Sequence, residues 1–341
     1  MNSKAVLGCL LGTAIGDALG LPAEGLSPDQ QKRLFGSVDR HYLLIGHGMI
    51  SDDTEHTFLT AMAWQTAQGD ADLFIRVLAK HLKYWFLLLP PGVGLATARS
   101  CLRLLFGVPP SRSGVASAGN GATMRAAILG VLITDPMQLQ DYVLKSARIT
   151  HSDPRAIWGA WVVALVAQRF SFGQTTFSDV LSQAQVSIPL QASAVLESLI
   201  DVQNSLLQGE TSQAFAKRIC GNKGVTGYVL HTVPVCLHVV YSFFDDYELA
   251  LKTILECAGD SDSTAAIVGG IVGARVGKAG IPKVWLAGLL EGAVWSEQFV
   301  LALENQAKVP SRFWLWQWLR NLGLLLVVLA HGFWRLARGT L

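Results

Sequence analysis

Charge is what this sequence has least of. Only 15% of its 341 residues are Asp, Glu, Lys or Arg, 51% are hydrophobic, and the net charge is +2. That balance excludes a disordered, solvated chain, because there is ample apolar surface to bury. A small net charge leaves no electrostatic footprint for nucleic acid, so no nucleic-acid partner is expected. Paired cysteines are missing too. Cys9, Cys101, Cys220, Cys236 and Cys257 show no CxxC spacing. An odd, scattered set points to buried thiols in a reducing compartment, and none lies in a cationic setting that would mark a nucleophile. No run alternates apolar and polar residues with β-branched content, so strands are not expected. No repeat of about 30–50 residues is present, which argues against a solenoid. Met1-Asn2-Ser3-Lys4 leads into a Gly-Ala pattern that continues to Gly20 and contains Asp17. That reads as a close-packed helix, not a secretion signal, and the expected location is the cytoplasm.

What the chain does have is helical periodicity. Ala-, Leu- and Val-rich segments cover 55–67, 71–88, 122–133, 137–149, 155–170, 191–206, 227–243, 246–257, 263–277 and 283–304. They predict an all-α fold, a bundle of roughly ten or more helices, over a domain spanning residues 1–305. Pro234 implies that its helix starts or kinks there. Small residues recur at Gly8, Gly12, Gly16 and Gly20, and at Gly269, Gly270, Gly273 and Gly277. Glycine weakens a helix by about 1 kcal/mol relative to alanine, so close helix packing must offset it, and these helices belong at the centre.

Residues 306–341 form a separate Trp-rich hydrophobic tail. Phe313 to Trp334 holds four of the ten tryptophans, interrupted by Gln317, Arg320, Asn321 and His331, with further arginines at 312, 335 and 338. Two readings stand: a last helix packed on its own domain or a second subunit, and membrane or protein association through residues 311–341.

Two acidic clusters concentrate the scarce charge: Ser51-Asp52-Asp53-Thr54-Glu55 and Asp260-Ser261-Asp262-Ser263-Thr264. Each adjoins an apolar helix, so capping alone could explain one Asp. Two carboxylates and a hydroxyl in each exceed what a cap needs and suit hard divalent cations, which take oxygen ligands. Asp17, inside the Gly-Ala helix, needs a buried partner, which a supporting role beside such a centre would supply. Gly119-Asn120-Gly121 runs into the 122–133 segment; backbone amides at such a start can cradle phosphate, although a simple turn has the same form. His151 sits at a helix junction, as a turn residue or a polar contact to substrate. Glu24 alone reads as surface.

In order, these pieces resemble the ADP-ribosylglycohydrolase family. The matching stretches are Gly8–Glu24, Ser51–Glu55, Gly119–Arg125, Thr150–Pro154, Gly227–Pro234 and Gly259–Gly277, together with the Gly280-Ile281-Pro282 turn. The resemblance implies an all-α hydrolase that removes ADP-ribose from a modified protein side chain, ADP-ribosylarginine first, with serine or O-acetyl linkages as alternatives. A binder of ADP-ribose or a nucleotide without catalysis is the other alternative. It implies two Mg²⁺ or Mn²⁺ ions held by Ser51, Asp52, Asp53, Asp260, Asp262 and Ser263. Substrate contacts would fall to Gly119, Asn120, Gly121 and His151. Catalytic candidates are Glu24, Asp53 and Asp260, with the general base open between Asp53 and Glu24. The partners implied are ADP-ribose and an ADP-ribosylated protein. Departures from the family pattern are serine at 51 and 263 in place of threonine, Ala258 in place of glycine, and His56, expected at the cleft rim.

Overall fold

The computed structural model describes residues 2–44, 46–173, 176–307 and 314–338. The rest of the predicted tail, 308–313 and 339–341, lies outside them. Seventeen α-helices and no strand are present among the described residues. The first eight are α1 (Ser3–Gly20), α2 (Pro28–Phe35), α3 (Asp52–Ala67), α4 (Ala71–Leu87), α5 (Leu95–Leu105), α6 (Ala127–Leu132), α7 (Pro136–Thr150) and α8 (Pro154–Ser171). Then come α9 (Phe177–Ser187), α10 (Ser193–Leu207), α11 (Ser212–Cys220), α12 (Val229–Ser242), α13 (Tyr247–Cys257) and α14 (Ser261–Val276). The chain closes with α15 (Lys283–Gly288), α16 (Ala293–Glu304) and α17 (Trp314–Ala337).

The two glycine stripes meet each other. α1 and α14 run antiparallel at the centre, in the most extensive helix contact of the molecule. A Cβ placed on Gly8, Gly12, Gly16 or Gly20 would come within 2.0–2.3 Å of a carbonyl oxygen of Gly273, Gly269, Ala265 or Ser261 respectively. Only hydrogen fits there, so the helix axes approach more closely than side-chain packing allows. α3, α6, α8, α12, α13 and α16 surround this pair. All but three of the residues of α1 are buried, so its long apolar sequence belongs to the core.

Several local expectations need correction. The predicted 283–304 helix is two, α15 and α16, with Leu289–Gly292 between them and Gly292 at φ 88°. The predicted 122–133 helix begins only at Ala127, because residues 121–126 form successive turns. α12 does not start at Pro234 but five residues before it, at Val229, with the proline inside the helix. The sequence reading places no helix at α2, α5, α9 or α11, all of them short at 8–11 residues. His56 is fully buried, its ring 4.3 Å from Trp85, and not at a rim. The thiols are free, as the spacing implied, and Cys9, Cys101, Cys220 and Cys257 are pushed up to about 12 by burial.

Ala258 is a strained point. It adopts φ 56°, ψ −168°, a region almost restricted to glycine, directly before Gly259 at φ 85°. Ala258→Gly is expected to raise stability by about 1 kcal/mol or more, seen as a higher urea midpoint. Gly16→Val should lower stability by about 3 kcal/mol, since backbone must move to admit the side chain; an unchanged midpoint would contradict the α1–α14 contact.

Candidate active site

The antiparallel α1–α14 pair sets the end of one helix beside the start of the other. Ser261, in the first turn of α14, donates its hydroxyl to the Gly20 carbonyl at the end of α1 (2.8 Å). One turn earlier on α1, Asp17 reaches the start of α3. Its Oδ2 accepts from Ser51 N (2.8 Å), Thr54 N (3.2 Å) and Thr54 Oγ1 (2.5 Å). Asp17 thus does the capping that Ser51, the residue at the N-cap position, does not: the Ser51 side chain makes no cap bond. Both acidic clusters therefore occupy the first turns of their helices, where the helix dipole favours negative charge. They touch directly, Ser263 Oγ donating to Asp53 Oδ2 at 3.2 Å.

Three loop segments close around this junction. Gly25 N donates to Gly259 O (2.7 Å), Gly259 N to Leu26 O (2.8 Å), and Asp260 N to Val225 O (2.7 Å). A fourth, the Gly119–Gly121 loop, is tied in by Asn120 N to Gly227 O (2.9 Å). The Asn120 side chain donates to Asp260 Oδ2 (2.6 Å) and Thr232 Oγ1 (3.1 Å). Asn120 is therefore committed to an acidic-cluster carboxylate. The loop feeds turns at 121–126 and not the start of a helix.

One cavity of about 330 Å³ collects every candidate residue: Glu24, Ser51, Asp52, Asp53, Gly119, Asn120, Gly121, His151, Asp260, Asp262 and Ser263. Asp52 and Asp260 are partly exposed in it, Asp53 and Asp262 are buried, and Glu24 stands exposed at the edge.

Two residues matter more than sequence reasoning suggested. Arg125 is fully buried and donates to the Gly121 carbonyl (2.5 Å), the Ser146 carbonyl (2.9 Å) and Thr150 Oγ1 (2.7 Å). Thr150 Oγ1 is in turn hydrogen-bonded to His151 Nδ1 at 2.8 Å. One guanidinium thus fixes both the glycine loop and the histidine; its place at the end of the Gly119–Arg125 stretch was the available signal. Burial, then the Arg125 charge, lowers His151 to about 3, so its ring is neutral at pH 7. The other residue is Glu55. It is buried and accepts from Trp85 Nε1 (2.6 Å), Gln317 Nε2 (2.5 Å) and Arg320 Nη1 (3.1 Å), which joins the first cluster to α17.

The electrostatics are unbalanced. Burial raises Asp52, Asp53 and Asp262 well above the usual carboxylate range, with repulsion from neighbouring carboxylates adding to it. Burial also raises Asp260, against the Asn120 hydrogen bond, and lifts Asp17 to about 6. Among the described residues, no ion pair reaches these five carboxylates. No three Asp, Glu, His or Cys side chains close on one point as a ready metal cage there. Yet Ser51 Oγ, Asp53 Oδ1 and Asp17 Oδ1 are buried without any hydrogen-bond partner. Unpartnered buried oxygens beside uncompensated carboxylates fit a hard cation completed by hydroxyl and water oxygens.

A raised carboxyl binds its proton more tightly in the folded than in the unfolded state. Its contribution to stability is therefore present at low pH and lost as pH rises through its raised folded-state range. Asp262→Asn keeps the acceptor used by Ser263 N (2.9 Å) and removes one charge. It should raise the Tm of the cation-free protein at pH 7 by about 2 °C; a lowered Tm would contradict the repulsion.

The ADP-ribosylglycohydrolase family model matches residues 2–312. An uncharacterised protein of Archaeoglobus fulgidus is 34% identical over 292 residues, 82% of this chain and 90% of that one. The ADP-ribosyl-(dinitrogen reductase) glycohydrolase of Rhodospirillum rubrum is 26% identical over 290 residues, 83% and 89% of the two chains. A solved ADP-ribosylglycohydrolase-related protein complex shares the fold at TM-score 0.64 and 23% identity, over 89% of this chain and 98% of that one. With the family model matched over residues 2–312, the chain belongs to the ADP-ribosylglycohydrolase family.

Proposed function

We propose that the protein is a divalent-cation-dependent hydrolase that releases ADP-ribose from a modified protein side chain, with an arginine guanidinium as the acceptor. The observation that carries this reading is the convergence of two acidic clusters, distant in sequence, on one cavity with unpartnered buried oxygens. Membership of the family and the name of the Rhodospirillum rubrum relative support an ADP-ribose linkage as the bond cleaved.

Ser51, Asp52, Asp53, Asp260, Asp262 and Ser263 would hold two Mg²⁺ or Mn²⁺ ions. Such ions supply Lewis-acid charge that orients a ribose diol and stabilises charge developing at the reacting centre. The protein's own groups do the rest. Arg125 locks the Gly119–Gly121 loop through the Gly121 carbonyl, and the loop lines the cavity where the diphosphate would lie. Neutral His151, held at Nδ1 through Thr150, offers its remaining ring nitrogen to the cavity without adding charge. Glu24 lines the same cavity but lies outside both clusters, so it is free to take the proton of the attacking water as general base. Cleavage would pass through an oxocarbenium-like transition state, which the surrounding carboxylates stabilise.

The test is release of ADP-ribose from ADP-ribosylarginine, beside serine- and O-acetyl-linked substrates, with and without Mg²⁺ or Mn²⁺. Chelation should abolish release and added cation restore it. Asp52→Ala and Asp260→Ala should each lower kcat/KM at least 100-fold, about 2.7 kcal/mol. Glu24→Gln should lower kcat while cation binding persists. Unchanged rates in the aspartate variants would refute the site, and ADP-ribose binding without turnover would make the protein a binder.

A further inference from the structure

α17 is built inside out. A surface helix ordinarily turns apolar residues to the core and polar ones to water. Here the polar residues face the body. Asn321 Nδ2 donates to the Leu88 carbonyl (3.0 Å), His331 Nε2 is hydrogen-bonded to the Pro22 carbonyl (3.0 Å), and Arg335 Nη1 donates to the Glu24 carbonyl (3.0 Å). Arg320 is the strongest latch: it pairs with Glu55 (3.1 Å) and Glu291 (2.5 Å) and also donates to the Ile50 carbonyl. The outward face is apolar, with Trp316 70%, Phe333 69% and Leu326 60% exposed. Of the 22 residues Trp316–Ala337, only Gln317, Asn321 and Leu324 are buried.

Charge indicates what covers this face. After Glu304 the sequence contains no acidic residue, but it holds Lys308, Arg312, Arg320, Arg335 and Arg338. Arg320 and Arg335 are taken up by the body. Arg338, and Lys308 and Arg312 in the sequence before the helix, would find no acid after Glu304 if two copies met through α17. An anionic bilayer surface offers an apolar layer for Trp, Phe and Leu and negative headgroups for these remaining basic residues.

We propose that α17 is an interfacial anchor: its outer face lies in the plane of an anionic lipid surface, while its inner face stays latched to the catalytic body. The helix is long enough to span a bilayer. Spanning would strip Arg320, Asn321 and His331 of their partners, so the in-plane position is the one that keeps every observed contact. Leu324 and Val328, on the latched side, line the acidic cavity. The cavity therefore lies one helix thickness, about 10–12 Å, from the lipid, and it faces targets held at a membrane. This inference stands on the contacts of α17 and does not depend on the reaction.

The full-length chain is floated through a density gradient with vesicles of equimolar phosphatidylcholine and phosphatidylglycerol, or of phosphatidylcholine alone. Flotation with the anionic vesicles is expected, weakened by high salt and reversed by alkaline carbonate. The triple variant Trp316→Ser, Leu326→Ser, Phe333→Ser touches no latch. It should keep its Tm and float at least about tenfold less. No flotation of the full-length chain, or equal flotation of the variant, overturns the proposal. So does self-association that the triple substitution abolishes, which would give the face to a second copy. Retention through carbonate would show a spanning helix and overturn the in-plane reading.

Discussion

The close approach of α1 to α14 is the constraint on which the rest depends. Four glycines on α1 lie against backbone carbonyls of α14 with no room for a methyl group. Because the helices are antiparallel, the contact that closes the core also places the last turn of α1 beside the first turn of α14. Asp17 then reaches the start of α3, and Ser261 reaches the end of α1. Three helix ends are thereby assembled at one point. A looser pair, packed through larger side chains, would separate the acidic clusters and leave no common cavity.

That assembly concentrates negative charge in a chain that has little charge. Five aspartates meet without a cationic side chain among them, and burial raises all five. A stable fold tolerates this only where function demands it, and the surrounding polar groups are allocated accordingly. Asp17 takes over capping from Ser51, whose hydroxyl is left unpartnered. Asn120 steadies Asp260, and Arg125 is turned away to hold the loop and His151. Ala258, a strained non-glycine backbone beside the site, lies on the segment that delivers Asp260. Alanine there carries a conformational cost that glycine would not.

The C-terminal helix is part of the same arrangement. Buried Glu55, from the first acidic cluster, is satisfied partly by Gln317 and Arg320 of α17. Its inner residues complete the cavity wall, yet the helix lies beyond the 2–312 span matched by the family model. A family cleft has thus been walled by a segment with its own, inverted amphipathic pattern.

The fold class, most helix positions, the central place of the glycine stripes and all eleven candidate cavity residues were legible in the sequence. Most depend on short-range pattern and residue chemistry: helical period, small-residue spacing and crowded oxygen donors. Glu24, and the roles of the Gly119–Gly121 loop and His151, came from the family resemblance. What was misread required knowledge of neighbours. The break at 121–126 accompanies the Asn120 N bond to the Gly227 carbonyl, and that at 289–292 the Leu290 N bond to the Gly48 carbonyl and Gly292 at positive φ. His56 looked like a rim residue and is buried against Trp85. Arg125 and Glu55 acquired their roles only when distant carbonyls and donors closed around them. The tail's composition allowed either packing on its own domain or association with a membrane. Tertiary structure put its polar stripe on the body and left its apolar stripe outside, because Arg320 finds two carboxylates there that no local sequence feature brings together.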